Sequence, residues 1–311
     1  MRTRAGFFMP EGKKLFAKPA LALDALLGLL SARGLRVDAP EPALAALQEI
    51  GFYRLSAYML PFQQGDGTSE HHRFQAGTTF EHVLAVYEFD ARLRDLTFRA
   101  VSDVEVRFSA ILTDSLSLAH GCHWFLDPQL FKSPEVCEER KAELVKAAGP
   151  DSKKTVAVEH YHRCYSEPLL PPSWVTLAAV EFGALSRLFS DLKRPIRKPV
   201  ADAYGIGARL LTSWLQAAAA TRNYCAHHQR LWNRNFQLKP APFHQFPEDI
   251  PDNASSFYGQ ACILHLLARK GRRPYLLLDG LCALFADFDS PSPASLGFPD
   301  EWMHRPLWSR S

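Results

Sequence analysis

Residues 209–234 read RLLTSWLQAAAATRNYCAHHQRLWNR, and this stretch decides the fold class. At ~100° per residue, Leu211, Leu215, Ala218, Cys225 and Trp232 fall on one stripe, as a helix facing a bundle core requires. The spacing predicts one helix from about Arg209 to Arg234. Outward from it, helical periodicity recurs nearly everywhere. It marks residues 20–33 and 40–50, a short aromatic-rich helix from Gly51 to Pro61, and a long helix over Phe80–Leu118 with a break near Ser102. A charged helix follows over 133–148, another from Trp174 to Leu192, and one or two more within 254–287. Pro195, Pro199 and Gly205 are expected to interrupt the chain after Leu192, and 239–253, with four prolines, reads as a surface loop. Neither a period-2 series nor an internal repeat is present, so the predicted class is all-α.

The 311 residues are 47% hydrophobic, 22% charged and 12% aromatic, values that exclude a disordered or collagen-like chain. The richest apolar run, Leu21 to Leu30, is interrupted by Asp24 and falls well short of a membrane span. No apolar core follows the basic residues Arg2, Arg4, Lys13, Lys14 and Lys18, so neither a secretory signal nor membrane association is expected, and a cytoplasmic protein is. The six cysteines (122, 137, 164, 225, 262, 282) form no C-x-x-C pair and read as free thiols. A net charge of +3 hides basic clusters at Lys193–Lys198 and Arg269–Arg273, which can be solvated surface or can meet phosphates.

Arg222 and Gln229 fall on the apolar stripe of 209–234. A guanidinium there needs an acid, a dimer partner or a phosphate. Glu105, on the Phe80–Leu118 helix, can supply the acid. The opposite face carries Asn223, His227, Arg230 and Arg234. Two readings are open: a polar outer face, or a phosphodiester site in which histidine exchanges a proton and arginine stabilises negative charge. On an ideal helix Arg222 and His227 lie ~140° apart, so the arginine must wrap round or a two-fold dimer must complete the site.

Arg222-Asn-x-x-x-His227 resembles the R-x4-H motif of HEPN ribonuclease domains. The longer string RNYCAHHQRLWNR is similar to the signature of the Abi (abortive infection, AbiD/AbiF-like) family. Further stretches resemble that family's landmarks in order: Lys18-Pro19, Gly51-Phe-Tyr-Arg-Leu-Ser56, Gly77-Thr-Thr-Phe80, Tyr87-Glu-Phe-Asp90, Trp174, Phe182-Gly183 and Gly297-Phe-Pro299 before Trp302. The resemblance implies a HEPN-like helical bundle over 77–236 with an insertion around 125–170. An N-terminal helical extension, 1–76, precedes it, and a C-terminal loop and helical segment, 237–311, follows. It also implies a metal-independent endoribonuclease of phage defence, with no cofactor, acting as a homodimer on an RNA substrate and restrained by a small RNA or protein antitoxin. Arg222, His227 and Asn223 become the catalytic residues, and His228, Arg230 and Arg234 the RNA-binding ones. Gln229 stands where tyrosine-modified HEPN toxins carry tyrosine, which argues against a nucleotidyltransferase-type partner. The alternative from another class is a non-catalytic RNA-binding or scaffold protein with a relic motif.

Other groupings carry less. Asp95–Arg99 and Asp103–Arg107 are i,i+4 pairs that support their helix. The groups His120/Cys122/His123, His160/His162/Cys164 and Cys225/His227/His228 lack the paired spacing of a zinc site. Cys225, on the apolar stripe, is a poor nucleophile. Phe52, Tyr53, Arg54 and Tyr58 read as core packing or as a platform for unpaired bases, with core favoured.

Overall fold

Most of the helical periods of the sequence are realised as helices. The computed structural model describes residues 19–64, 72–153, 155–251 and 254–310, and among them β-type pairing is confined to three isolated bridges. The protein is all-α. The basic residues Arg2, Arg4, Lys13, Lys14 and Lys18, and most of the Gln63–Arg73 loop, lie outside the described residues. The chain divides into two compact units, residues 1–85 and 86–311.

In the first unit, α1 (Leu23–Ala32), α2 (Pro40–Ile50) and α3 (Phe52–Met59) pack in sequence. Gly51, at φ 87°, ends α2 and starts α3 in a conformation that side chains resist. Leu27, Leu30, Leu47, Leu55 and Met59 form the buried side. The aromatic cluster expected in the core is divided. Tyr58 is buried and Tyr53 is 91% exposed, because five residues of helix turn the two rings to different sides.

The helix α4 (Phe80–His120) runs for 41 residues from the first unit into the second. The break expected near Ser102 does not occur. The Ser102 hydroxyl donates to the Phe98 carbonyl at 2.7 Å, so this residue is satisfied within the helix. The second unit then holds α5 (Pro134–Ala148), α6 (Val156–Cys164), α7 (Ser173–Thr176), α8 (Phe182–Asp191), α9 (Arg194–Tyr204), α10 (Ala208–Ala226), α11 (Phe257–Ala268) and α12 (Leu276–Asp287).

The single helix expected over Trp174–Leu192 is in fact α7, a 3-10 turn and α8, divided by extended backbone at Val180 and Glu181. The division gives α8 a free N-terminus, which the candidate site uses. Pro199 sits inside α9 rather than ending it. Only one helical hydrogen bond is lost there, and the buried Val200, Ala201 and Tyr204 hold the helix down. Gly205, at φ 73°, ends α9 as expected.

The core of this unit is built around α10, which packs against α8, α9 and α11. Leu211, Leu215, Ala218 and Cys225 are buried as their spacing requires, and Ala217–Ala219 keep the surface low enough for close helix approach. Phe108 of α4 meets Phe189 of α8 edge-on at 5.4 Å. The loop after α10 is tied back by Trp214, whose Nε1 donates to the Ala241 carbonyl at 3.0 Å. The C-terminal segment is locked by Phe298, Trp302 and Trp308 packing on one another and on Tyr258. The Tyr258 hydroxyl and Arg305 both donate to buried Asp249, at 2.5 and 2.9 Å. All six cysteines are unpaired, and no described helix is long and apolar enough to cross a membrane.

His265 of α11 is fully buried and stacked on Trp308 at 4.7 Å. Burial, with Arg269 nearby, pushes its pKa down to about 4. In the unfolded chain the imidazole titrates near 6.5, so between about pH 6.5 and pH 4 the unfolded state binds the extra proton. The stability linked to His265 is therefore complete above pH 6.5 and falls by up to about 3 kcal/mol as the pH drops to 4. Denaturation midpoints at about pH 7 and pH 5 should diverge in the wild type, and His265→Phe should shrink the difference. An equal difference in both proteins would show that His265 is not its source.

Candidate functional site

The helix that carries Arg222 and His227 does not continue to Arg234. It stops at Ala226, with His227 as its C-cap. The His228 N–H donates to the Cys225 carbonyl at 3.0 Å and the Gln229 N–H to the Tyr224 carbonyl at 2.8 Å, the paired bonds of a Schellman motif. The residue between them, His228, takes φ 52°, a position that glycine usually fills. Asn223, His227, Arg230 and Arg234 therefore do not share one helical face. The first two ride on the last turn of α10, and the other two arrive on the turns that follow.

Those turns are fastened to α4. Asp90, fully buried, accepts the Trp232 N–H at 2.7 Å and the Leu231 N–H at 3.1 Å, and forms an ion pair with buried Arg94 one turn along. Leu231 and Trp232 are themselves buried, and Trp232 Nε1 donates to Ser295 Oγ at 2.8 Å. The Arg234 guanidinium lies 3.9 Å above the Tyr224 ring and donates to the Arg230 carbonyl at 2.9 Å, folding the turn back onto α10. Arg230 packs over Trp232 and donates to the Asn233 carbonyl. His227, His228 and Asn223 are exposed.

Arg222 is half-buried and meets two partners. Its Nε stands 3.7 Å from Glu105 Oε2, and its Nη1 donates to Asn223 Oδ1 at 3.2 Å. Glu105 is the acid that the charge argument asked for. Burial raises its pKa, while Arg222 and the Phe182 N–H at the start of α8 pull it down and Glu181 adds to the rise. Arg222 is thus held by one carboxylate and one side-chain amide, with the imidazole of His227 displayed beyond it.

The remaining sequence candidates have clear places. The Cys225 thiol faces the core, and burial raises its pKa to about 12. His123 contacts Cys122 Sγ and the Leu170 carbonyl, and His162 the Ala148 carbonyl. No group of three or more potential metal ligands gathers among the described residues. Tyr87-Glu-Phe-Asp90 stands out in the sequence as a landmark, but the role of Asp90 in holding the turn does not. The signal was available: Asp90 and Arg94 stand four residues apart on the helical stripe of Val86, Phe89, Leu93, Thr97 and Val101, which is otherwise free of charge and buried.

A family model described as Abi-like protein matches residues 45–233, more than half of the chain, and spans Asp90, Glu105, Arg222 and His227. No curated protein and no solved structure matches.

Proposed function

The chain belongs to the Abi-like family, whose name points to abortive infection and phage defence, and from that premise we propose that it is a metal-independent endoribonuclease. The observation that supports this reading is the last turn of α10, where a carboxylate-held guanidinium and an exposed imidazole stand five residues apart. One group stabilises phosphorane charge and the other moves a proton, the two needs of RNA transesterification. The RNA 2′-oxygen attacks the adjacent phosphorus as His227 takes its proton. The bond from phosphorus to the 5′-oxygen breaks, and that oxygen is protonated by His227 of a second copy of the chain. The products are a 2′,3′-cyclic phosphate and a 5′-hydroxyl. Arg222 carries the charge of the intermediate and Asn223 orients Arg222 or the phosphate. His228, Arg230 and Arg234 meet neighbouring phosphates. A HEPN-like arrangement of two such motifs in one dimer cleft completes the site, and a small RNA or protein antitoxin restrains it.

The test is cleavage in the presence of chelator. An RNA oligonucleotide yields cyclic-phosphate ends, while the same sequence with 2′-deoxyribose throughout binds and stays intact, because it lacks the nucleophile. Cleavage of the DNA strand at a comparable rate would sink the mechanism.

A further inference from the structure

The basic cluster Arg269–Arg273 is not used by the site above, and its residues 270–273 form one wall of a groove of 520 Å³ whose other wall is α4 at Asp103, Val106, Arg107 and Ala110. A second groove of 430 Å³ continues from the shared residues Val106 and Ala110 to Glu105 and Trp174. Together they cross the middle of α4. One end is basic, and the other reaches the carboxylate that holds Arg222.

The wall at the basic end is tightly built. The turn after α11 closes with the Gly271 N–H on the Ala268 carbonyl at 2.7 Å, and a Cβ at Gly271 would stand 2.9 Å from that carbonyl oxygen. Lys270 and Arg272 project on either side of this glycine and are both exposed. Arg107 is fixed beneath them, its guanidinium 4.4 Å from the Tyr204 ring and donating to the Leu267 carbonyl. Two of the acids along the path are engaged, Asp103 with Arg273 and Glu105 with Arg222, while exposed Asp114 lines the Trp174 end and is a carboxylate that a strand would have to pass. Between the ends Val106 is 70% exposed, and at the far end the Trp174 indole is 57% exposed. Cations that track a phosphate backbone, followed by apolar floor and an open aromatic face, are the two components of single-strand recognition.

We infer that single-stranded RNA lies across α4, its phosphates on Lys270, Arg272 and Arg107 and a base stacked on Trp174, and that this track leads the strand to Arg222. The inference rests on the ribonuclease reading for the choice of RNA, and its test is binding rather than cleavage. The probe is a labelled oligouridylate of about a dozen nucleotides, long enough to span the track. It is titrated by fluorescence anisotropy into the full chain carrying His227→Ala.

Adding Lys270→Glu and Arg272→Glu together weakens binding by about 10-fold or more and flattens its salt dependence, each lost phosphate contact removing ~0.7 from the slope. Adding Trp174→Ala weakens it by about 10-fold with the salt slope unchanged, a difference that a general loss of structure does not produce. Parent-like binding by the double charge variant overturns the track. So does the absence of RNA binding by the parent, or competition by polyglutamate as strong as by RNA, which would assign the groove to an acidic protein. If the wild type cuts nothing while these binding changes hold, the track stands and the cleavage reading falls. If it cuts RNA through His227 and the charge variant binds normally, the track alone falls.

Discussion

Replacing Asp90 with alanine is expected to lower the unfolding free energy by about 3–5 kcal/mol, an unusually large effect for one carboxylate. The Asp90 side chain joins two things that cannot be left alone. Its oxygens accept the N–H groups of Leu231 and Trp232, both of them buried residues. The same carboxylate balances Arg94, itself buried in α4. Removing one partner of a buried pair leaves an uncompensated charge, which is why the loss exceeds that of two ordinary hydrogen bonds. Asp90→Asn keeps an acceptor for the turn but discards the charge, so its loss should be smaller. It also provides a measurable variant where alanine does not fold. Chemical denaturation midpoints decide the matter, and an Asp90→Ala midpoint equal to the wild type would show that the turn is held by something else.

His227→Ala should do the reverse, removing activity while sparing stability. Proton transfer by a positioned side chain is worth ~10²–10⁴ in rate, and the substitution removes that group outright. Because the imidazole is exposed and only its backbone N–H takes part in the helix end, the denaturation midpoint should stay put. Single-turnover cleavage of an RNA oligonucleotide gives the rate. Undiminished cleavage by a folded His227→Ala protein would remove the histidine from the chemistry. The pairing of the two results is informative: Asp90 acts through the fold of the turn and His227 through the reaction.

Much of the helix content is legible in the sequence because amphipathic spacing is a strong signal wherever one face is buried, as from Leu211 to Cys225. The end of α10 is not legible. Helix stops are read from glycine, asparagine or proline, and here the left-handed position belongs to His228, which tolerates it but is not one of those signals. Periodicity also continues past the true end by accident. Trp232 is buried as the helical stripe requires, but by way of a turn pinned to Asp90 and not by helical geometry. The R-x4-H spacing was therefore visible as a motif, while the arrangement of its neighbours was not. Pairing of Arg222 with Glu105 was accessible in advance, because a partly buried guanidinium demands an acid and charge need does not depend on where the helix ends.

The uninterrupted course of α4 sets a limit on how this chain can vary in length. Asp90 and Glu105, fifteen residues apart in the sequence, each hold a different part of the segment that follows Thr221. On an ideal helix they are separated by ~22 Å along the axis and only ~60° around it. Inserting or deleting one residue between them would rotate everything beyond by ~100° and take the second carboxylate away from Arg222, even though both residues remained in the sequence. Gains and losses of residues are expected in connections that make no such fixed contacts, whereas the span from 90 to 105 behaves as a ruler that cannot be recut.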